Sequence, residues 1–318
     1  MGNITAPKLA IIFILLMILN GCAGSKKIAG DRYLLENNTI FKNNKELNND
    51  PIKFLVVDQP NNKIFGIPFK RNIYSLAVSN PDSVFIDWLY RKQKRKKRLE
   101  NWLSSKQVNE LSRYKSGLNN WLKKSGEAPV FLDTLSIRKS INRLRQFYKN
   151  QGFFDAQVIS KNILGSDRKA GVQYFINTGE QYTIESVRKK INSSALDSLY
   201  ELSISESLIQ KGHLFEIDRF EAERSRLINF FRNNGVYNFQ QNSIQYTAAI
   251  DSSGVDTKIP VVIEIADLQK RENDTLKNVT YRIHPVSKIN LYIDTPGKLG
   301  QLSSYTDSIN HNDFTIYF

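Results

Sequence analysis

The spacing of apolar residues changes period several times along the chain, and the same changes come twice. Ile137, Ile141, Leu144, Phe147 and Tyr148 fall at helical intervals, which predicts an amphipathic helix with one apolar stripe. Asp133 or Ser136 can cap its amino end, and Gly152 can take the left-handed conformation that closes the other. Farther on, Phe220, Leu227, Ile228 and Phe231 form a second stripe, with Asp218 as the expected cap and Gly235 as the stop. After each glycine the period drops to two. Val172, Tyr174 and Ile176 alternate in the first case, as do Val261, Ile263 and Ile265 in the second, and both read as strands. The polar clusters Gly165-Ser166-Asp167 and Asp251-Ser252-Ser253-Gly254 separate paired strands and predict hairpins. Ahead of the second stripe, residues 182–191 read as a strand and 194–208 as a shorter helix. The predicted order within a unit is strand, helix, helix, strand, strand, an α+β arrangement.

The two stretches also match residue by residue. Phe147-Tyr148-Lys149-Asn150-Gln151-Gly152-Phe153-Phe154-Asp155-Ala156-Gln157 corresponds to Phe230-Phe231-Arg232-Asn233-Asn234-Gly235-Val236-Tyr237-Asn238-Phe239-Gln240, and the glycines stand 83 positions apart. The same offset pairs Phe131 with Leu214, Leu132 with Phe215, Asp133 with Glu216, Ile137 with Phe220 and Leu144 with Leu227. One copy alone is an ordinary helix stop before a core strand. Two copies at a constant offset indicate a duplicated unit of about 80 residues.

The amino terminus has a different pattern. Lys8 precedes an unbroken apolar run from Leu9 to Leu19, 11 residues, followed by Asn20-Gly21-Cys22. A bilayer span needs about 20 residues, so this run reads as the core of a secretory signal, residues 1–21. Leu19-Asn20-Gly21-Cys22 resembles a bacterial lipobox, although Asn20 is an unusual choice at its position. That resemblance implies a diacylglyceryl group on the Cys22 sulfur and cleavage just before it, with residues 22–30 as a lipidated tether. An ordinary signal that happens to contain a cysteine is the alternative. Cys22 is the only cysteine in the chain. No aspartate follows it in Ala23-Gly24-Ser25-Lys26, which points to the outer membrane.

Composition narrows the remaining choices. The chain has 318 residues, enough for two or three domains, with 41% hydrophobic and 24% charged residues, the balance of a globular protein. One cysteine excludes an internal disulfide framework. His213, His284 and His311 are far apart and in no metal-ligand spacing. There is no G-x-S-x-G, phosphate loop or H-E-x-x-H, so the chain is expected to be neither an enzyme nor a holder of metal or cofactor. The net charge of +14 favours acidic partners. Much of it lies in Arg91-Lys92-Gln93-Lys94-Arg95-Lys96-Lys97-Arg98, within a long stretch of about residues 70–128 flanked by Trp88, Trp102 and Trp121. Leu99, Trp102, Leu103, Leu111, Leu118, Trp121 and Leu122 suggest one or two amphipathic helices there. Three readings stand open. One is a solvated face on helices packed through their Leu and Trp residues. The second is contact with anionic lipid head groups. The third, nucleic acid, is not expected for an exported chain.

A helix ending in Tyr148-Lys149-Asn150-Gln151-Gly152-Phe153-Phe154-Asp155-Ala156, then a hairpin, then Gly179-Glu180-Gln181-Tyr182-Thr183-Ile184, is similar to POTRA domains of the BamA/TamA family of outer-membrane assembly proteins. The lipobox, Gln59-Pro60-Asn61-Asn62-Lys63-Ile64-Phe65-Gly66-Ile67-Pro68-Phe69 and Gly126-Glu127-Ala128-Pro129-Val130 resemble its lipidated TamA-like (TamL-type) branch in Bacteroidetes. The resemblance implies tandem modules at 31–178, with the helical insertion at about 70–128, and at 179–267. A third begins at 268–318, with Val279-Thr280-Tyr281-Arg282-Ile283 and a strand at 288–293. The family's carboxy-terminal barrel is missing from the chain, which reads as a fragment in preference to a soluble relative. Also implied are outer-membrane lipid, client outer-membrane polypeptides and a long TamB-like periplasmic protein as partners, bound by strand addition at edges near residues 158–162 and 243–248. The alternative is a stand-alone lipoprotein held to membrane or cell wall by its basic helices.

Overall fold

The computed structural model describes residues 31–48, 50–92, 94, 97, 101–250, 256–293, 307–311 and 314–317. The signal run, Cys22, Arg95, Lys96, Arg98, Leu99 and the turn at 251–254 lie outside the described residues. The fold is α+β and divides into two compact units, one running to Phe147 together with Ala156–Thr178, the other Tyr148–Asp155 together with Gly179–Phe318.

The first unit is built on a sheet of order β2-β1-β4-β3, from β1 (Leu34–Lys42), β2 (Lys45–Glu46), β3 (Gln157–Leu164) and β4 (Lys169–Asn177). β1 runs parallel to β4, and β3 antiparallel to it. Alternation sends Val172, Tyr174 and Ile176 of β4 inward with Ile40 and Val158, all buried. Between β1 and β3 come α1 (Asp50–Lys53), α2 (Phe69–Ser75), α3 (Pro81–Tyr90), α4 (Ser105–Ser125) and α5 (Thr134–Asn150). The first helix of this unit is a single turn, and among the described residues α2, α3 and α4 fall in or at the border of the insertion, α4 covering most of the stretch expected to be helical. Ser104 starts α4 with a capping box closed by Gln107. Asp133 caps α5, accepting from the Leu135 and Ser136 amides at 3.3 and 2.9 Å.

The second unit repeats the scheme. β5 (Thr183–Ile191), α6 (Ser194–Ser203), α7 (Ile217–Asn233), β6 (Ile244–Ala248) and β7 (Lys258–Ile265) follow in turn. The sheet order is β5-β7-β6, with β5 parallel and β6 antiparallel to β7. Phe220, Leu227, Ile228 and Phe231 of α7 are buried; Leu227, Ile228 and Phe231 pack with Ile263, Ile265 and Tyr281, and Phe220 with Tyr182, Ile259 and Val261. Each such side chain contributes about 1.5–3 kcal/mol. The expected cap is corrected: α7 begins at Ile217 after Glu216, which makes no side-chain cap, and Asp218 sits inside the first turn. Glu216 matches the capping Asp133 at the 83-residue offset but is one methylene longer.

The repeat extends to the backbone hydrogen bonds. In the first unit the Leu35 amide donates to the Val130 carbonyl and the Leu132 amide to the Tyr33 carbonyl, both at 2.8 Å. In the second, Ile184 donates to His213 at 2.8 Å and Phe215 to Tyr182 at 2.9 Å. Val130 and His213, like Leu132 and Phe215, are 83 residues apart. Each first strand carries a bulge at the same place, between Leu35 and Asn37 and between Ile184 and Ser186.

Beyond β7, β8 (Leu268–Glu272) and β9 (Thr275–Val279) form a hairpin absent from the sequence expectation. β10 (Ile289–Tyr292), β11 (Ser308–His311) and β12 (Phe314–Tyr317) form a third sheet of order β10-β12-β11, with β10 parallel and β11 antiparallel to β12. This is again the strand order of the two larger sheets.

Candidate functional site

The strand order leaves particular strands at the margins. β3 pairs with β4 and β6 with β7, and no other strand pairs with either among the described residues. These are the positions near 158–162 and 243–248. An unpaired strand margin presents a row of amide and carbonyl groups that another chain can use, unless charge or cover blunts it. The opposite margins are blunted. β1 is covered at its far end by β2, the two meeting through Phe41 and Glu46, and Lys42 and Lys45. β5 carries Arg188, Lys189 and Lys190 in succession. Lys189 lies opposite buried Ile263, on the helix side of the sheet. It is held there by Asp197 at 2.6 Å and by Glu201, both on α6, and these two carboxylates keep its ammonium pKa above the usual lysine value. An inward-pointing charge of this kind is a known block to strand addition. β6 has no charged side chain, and β3 only Lys161.

β3 also has exposed apolar side chains, with Ile159 at 65%, Leu164 at 56% and Ile163 at 41%. Ile159 lies opposite Phe175, and Phe175 opposite Phe41, whose ring stacks on it at 5.1 Å. The three make an apolar row across the outer face of the sheet, beside a depression of about 470 Å³ that also touches Asn43, Asn44 and Gln157. The corresponding face of the second unit is polar, with Lys190 paired to Glu264 at 2.7 Å.

Gly152 and Gly235 have φ of +84° and +90°. A Cβ on Gly152 would come within 2.2 Å of the Phe215 carbonyl oxygen, and the Gly152 carbonyl accepts from the Tyr182 amide at 2.9 Å. Gly235 lies against Ile283 and His284 and accepts from the His284 amide at 2.9 Å.

In the insertion, Arg91, Lys92, Lys94 and Lys97 are exposed. Its two ends are stitched together. Asn61 is buried, donates to the Ala128 carbonyl at 2.8 Å and accepts from the Val130 amide at 3.2 Å, while Glu127 accepts from the Asn62 amide. The two segments quoted for the TamL-type resemblance are therefore neighbours. Glu36, the extra residue of the β1 bulge, reaches Lys63 at 2.7 Å and Arg71 at 3.3 Å. Burial alone would raise its carboxyl pKa, but these cations outweigh burial and hold it below the usual value. Asn119 of α4 is buried, accepting from the Val78 amide at 2.7 Å and donating to its carbonyl at 3.0 Å. Trp102 and Trp121 are 88% and 57% exposed, so they do not pack the insertion helices as the solvated-face reading had it.

A buried cluster was missed. Glu223 of α7, 1% exposed, takes two hydrogen bonds from Arg226 at 2.7 and 2.8 Å, one from the Leu208 amide and one from the Ser207 hydroxyl, each at 2.9 Å. A lone charge on the apolar face of a predicted helix was the available signal. Among the described residues no group of three or more His, Cys, Asp or Glu is arranged to hold a metal ion.

No family model matches the sequence. No curated protein matches it either. Among solved structures, POTRA domains 3–5 of Haemophilus influenzae BamA are similar at 14% identity and a TM-score of 0.27, over 59% of this chain and 83% of that one. POTRA domains 1–3 of Omp85 from Anabaena are similar at 8% identity and a TM-score of 0.29, over 89% and 74%. BamA from Haemophilus ducreyi lacking POTRA domains 1–3 is similar at 14% and 0.30, over 45% and 25%. Likenesses this distant carry no weight beside the strand order, margins and burial of the chain itself.

Proposed function

We propose that the chain is the module-bearing part of an outer-membrane protein assembly or translocation factor, whose POTRA-like units take up extended polypeptide by strand addition. In this reading Cys22 is acylated, residues 22–30 tether the array to outer-membrane lipid, and the modules at 31–178 and 179–267 face the periplasm. Residues 268–318 open a third. The ligands are client outer-membrane polypeptides and a long TamB-like periplasmic partner. The observation that carries the reading is the contrast between margins. In both units the strand following the second long helix is open and nearly free of charge, while the opposite margin is covered or laced with cations. Backbone pairing at such a margin needs few particular side chains and suits many client sequences.

Amide hydrogen exchange of the full chain with an unfolded outer-membrane barrel polypeptide tests this. Slowed exchange is expected in Gln157–Leu164 and Ile244–Ala248 but not in Thr183–Ile191. Asn162→Pro, which removes a donor on the open margin (the Gly165 amide donates to Lys169 of β4, so the odd-numbered amides of β3 face β4 and the even-numbered ones face out), should abolish the effect in the first segment alone. Protection confined to β5 or to the helices, or none at all, sinks the reading.

A further inference from the structure

The insertion carries a surface of its own, independent of the sheet margins. Residues 70–128 contain fourteen Lys and Arg against five Asp and Glu, a net +9 of the chain's +14. All three tryptophans of the protein, Trp88, Trp102 and Trp121, lie within it. On α4, Tyr114, Leu118 and Trp121 are spaced four and three residues apart and line one face, exposed at 77%, 53% and 57%. Trp102, two residues before the capping Ser104, is 88% exposed. Lys106, Arg113 and Lys124 recur at whole-turn intervals along one flank of this stripe, and all three are exposed. The run Arg91-Lys92-Gln93-Lys94-Arg95-Lys96-Lys97-Arg98 precedes the helix in sequence. The other side of α4 is anchored through Asn119 to Val78 and through Ser116, whose hydroxyl donates to Asp82 at 2.6 Å.

A helix that merely bathes in solvent puts charge all over its outer face, whereas the outer face here is aromatic and aliphatic along Tyr114, Leu118 and Trp121, with Glu110, one turn earlier, paired to Arg113 at 3.0 Å. A groove for nucleic acid interleaves rings with cations, so that bases stack between phosphate contacts. On the exposed face of α4 Tyr114, Leu118 and Trp121 form one line and Lys106, Arg113 and Lys124 another, the segregation found where water meets hydrocarbon, while Lys115 lies over the Phe85 and Trp88 rings. No helix among the described residues is long and apolar enough to cross a membrane, so the contact is lateral. We propose that the insertion docks on an anionic phospholipid surface, with Tyr114, Leu118, Trp121 and Trp102 at the boundary between head groups and acyl chains and the basic residues on the phosphates.

Because every tryptophan lies in the insertion, tryptophan emission reports this contact directly. The full chain is mixed with vesicles of phosphatidylcholine alone, or of phosphatidylcholine with phosphatidylglycerol, each with and without bromine-labelled acyl chains. The expected result is a blue shift and bromine quenching on the anionic vesicles only, reversed at high salt as the charges are screened. Each basic residue near an anionic surface is worth about fivefold in partitioning, so Lys94→Gln, Arg95→Gln, Lys96→Gln and Lys97→Gln together should weaken it by at least about a hundredfold. Leu118→Ser with Tyr114→Ser should reduce quenching while circular dichroism stays unchanged. Attachment through the amino-terminal apolar run alone would give equal partitioning on both vesicle types without quenching, and that overturns the proposal. Emission that responds to an oligonucleotide but not to anionic vesicles overturns it too.

Discussion

Ser140 and Glu223 stand 83 residues apart and serve the same end of the same fold. The Ser140 hydroxyl accepts the Val57 amide at 2.9 Å, and the Glu223 carboxylate accepts the Leu208 amide at 2.9 Å. In each unit the helix before the hairpin therefore fastens the segment that leaves the unit's first helix, α1 or α6. The first unit uses a neutral hydroxyl, itself satisfied by donating to the Ser136 carbonyl at 2.7 Å. The second uses a buried charge and needs Arg226 beside it.

That difference has a pH signature. Burial would raise the Glu223 pKa, but Arg226, the Leu208 amide and the Ser207 hydroxyl outweigh it and hold the carboxyl below the usual glutamate value. A depressed folded pKa means that the stabilisation is complete above the unfolded value, about 4.3, and is lost as pH falls through the folded one. Acid titration of unfolding should show this loss in the wild type and a flatter acid limb in Glu223→Gln. Glu223→Ala, which leaves Arg226 facing Glu206 at 3.9 Å and removes its close partner, should cost about 3 kcal/mol in chemical denaturation. A loss below ~1 kcal/mol would mean that solvent reaches the pair freely.

Substitution of the two left-handed glycines should rank in a fixed order. Gly235→Ala meets the Cγ2 of Ile283 at 2.9 Å and the His284 carbonyl oxygen at 3.1 Å, less close than the backbone at Gly152, and should cost about 1–2 kcal/mol. Gly152→Ala meets backbone at 2.2 Å and should cost more than that. Thermal melts giving the reverse order would contradict the local geometry at both sites.

Tyr246 on β6 has a hydroxyl that is buried without a hydrogen-bond partner, and burial followed by the nearby Glu223 charge raises its pKa. Tyr246→Phe should leave stability unchanged or raise it by up to about 1 kcal/mol, because the lost group had no bond to lose. Destabilisation in urea titrations would show that the hydroxyl has a partner in solution.

Asn119→Ala removes both hydrogen bonds to Val78 and should destabilise the insertion by about 1–3 kcal/mol. Limited proteolysis should then cut between residues 70 and 128 before the sheet strands. Unchanged cleavage would show that α4 is held without this side chain.

The duplicated unit was legible because burial repeats with it. Leu144 and Leu227, and Tyr148 and Phe231, are buried pairs at one offset, and periodicity reads burial directly. The strands were legible for the same reason, since Val172, Tyr174 and Ile176 alternate, but which strand is outermost was not, because alternation marks the buried face and not the neighbours within the sheet. The insertion was harder to read. Leu118 and Trp121 obey helical spacing whether the stripe faces a core or the solvent, so pattern alone could not place them. The β8–β9 hairpin escaped because its faces are exposed and carry no alternation of polarity. Its mark was Asn273-Asp274, both at positive φ, the chemistry of a two-residue turn. Asn43-Asn44 between β1 and β2 is the same mark and was missed in the same way. The Asp218 cap failed because a carboxylate one position inside a helix looks much like one at its border in sequence.

The bulge in each first strand makes that strand two half-strands of opposite phase. Leu35 faces inward before the bulge and Asn38 and Ile40 after it, while Ile184 gives way to Val187 and Ile191. Losing the single codon for Glu36 or Glu185 would therefore remove the extra residue and leave a regular strand with both halves facing as before, while losing two adjacent codons there would turn one half inside out. Relatives that differ in length at these bulges should do so by that one residue.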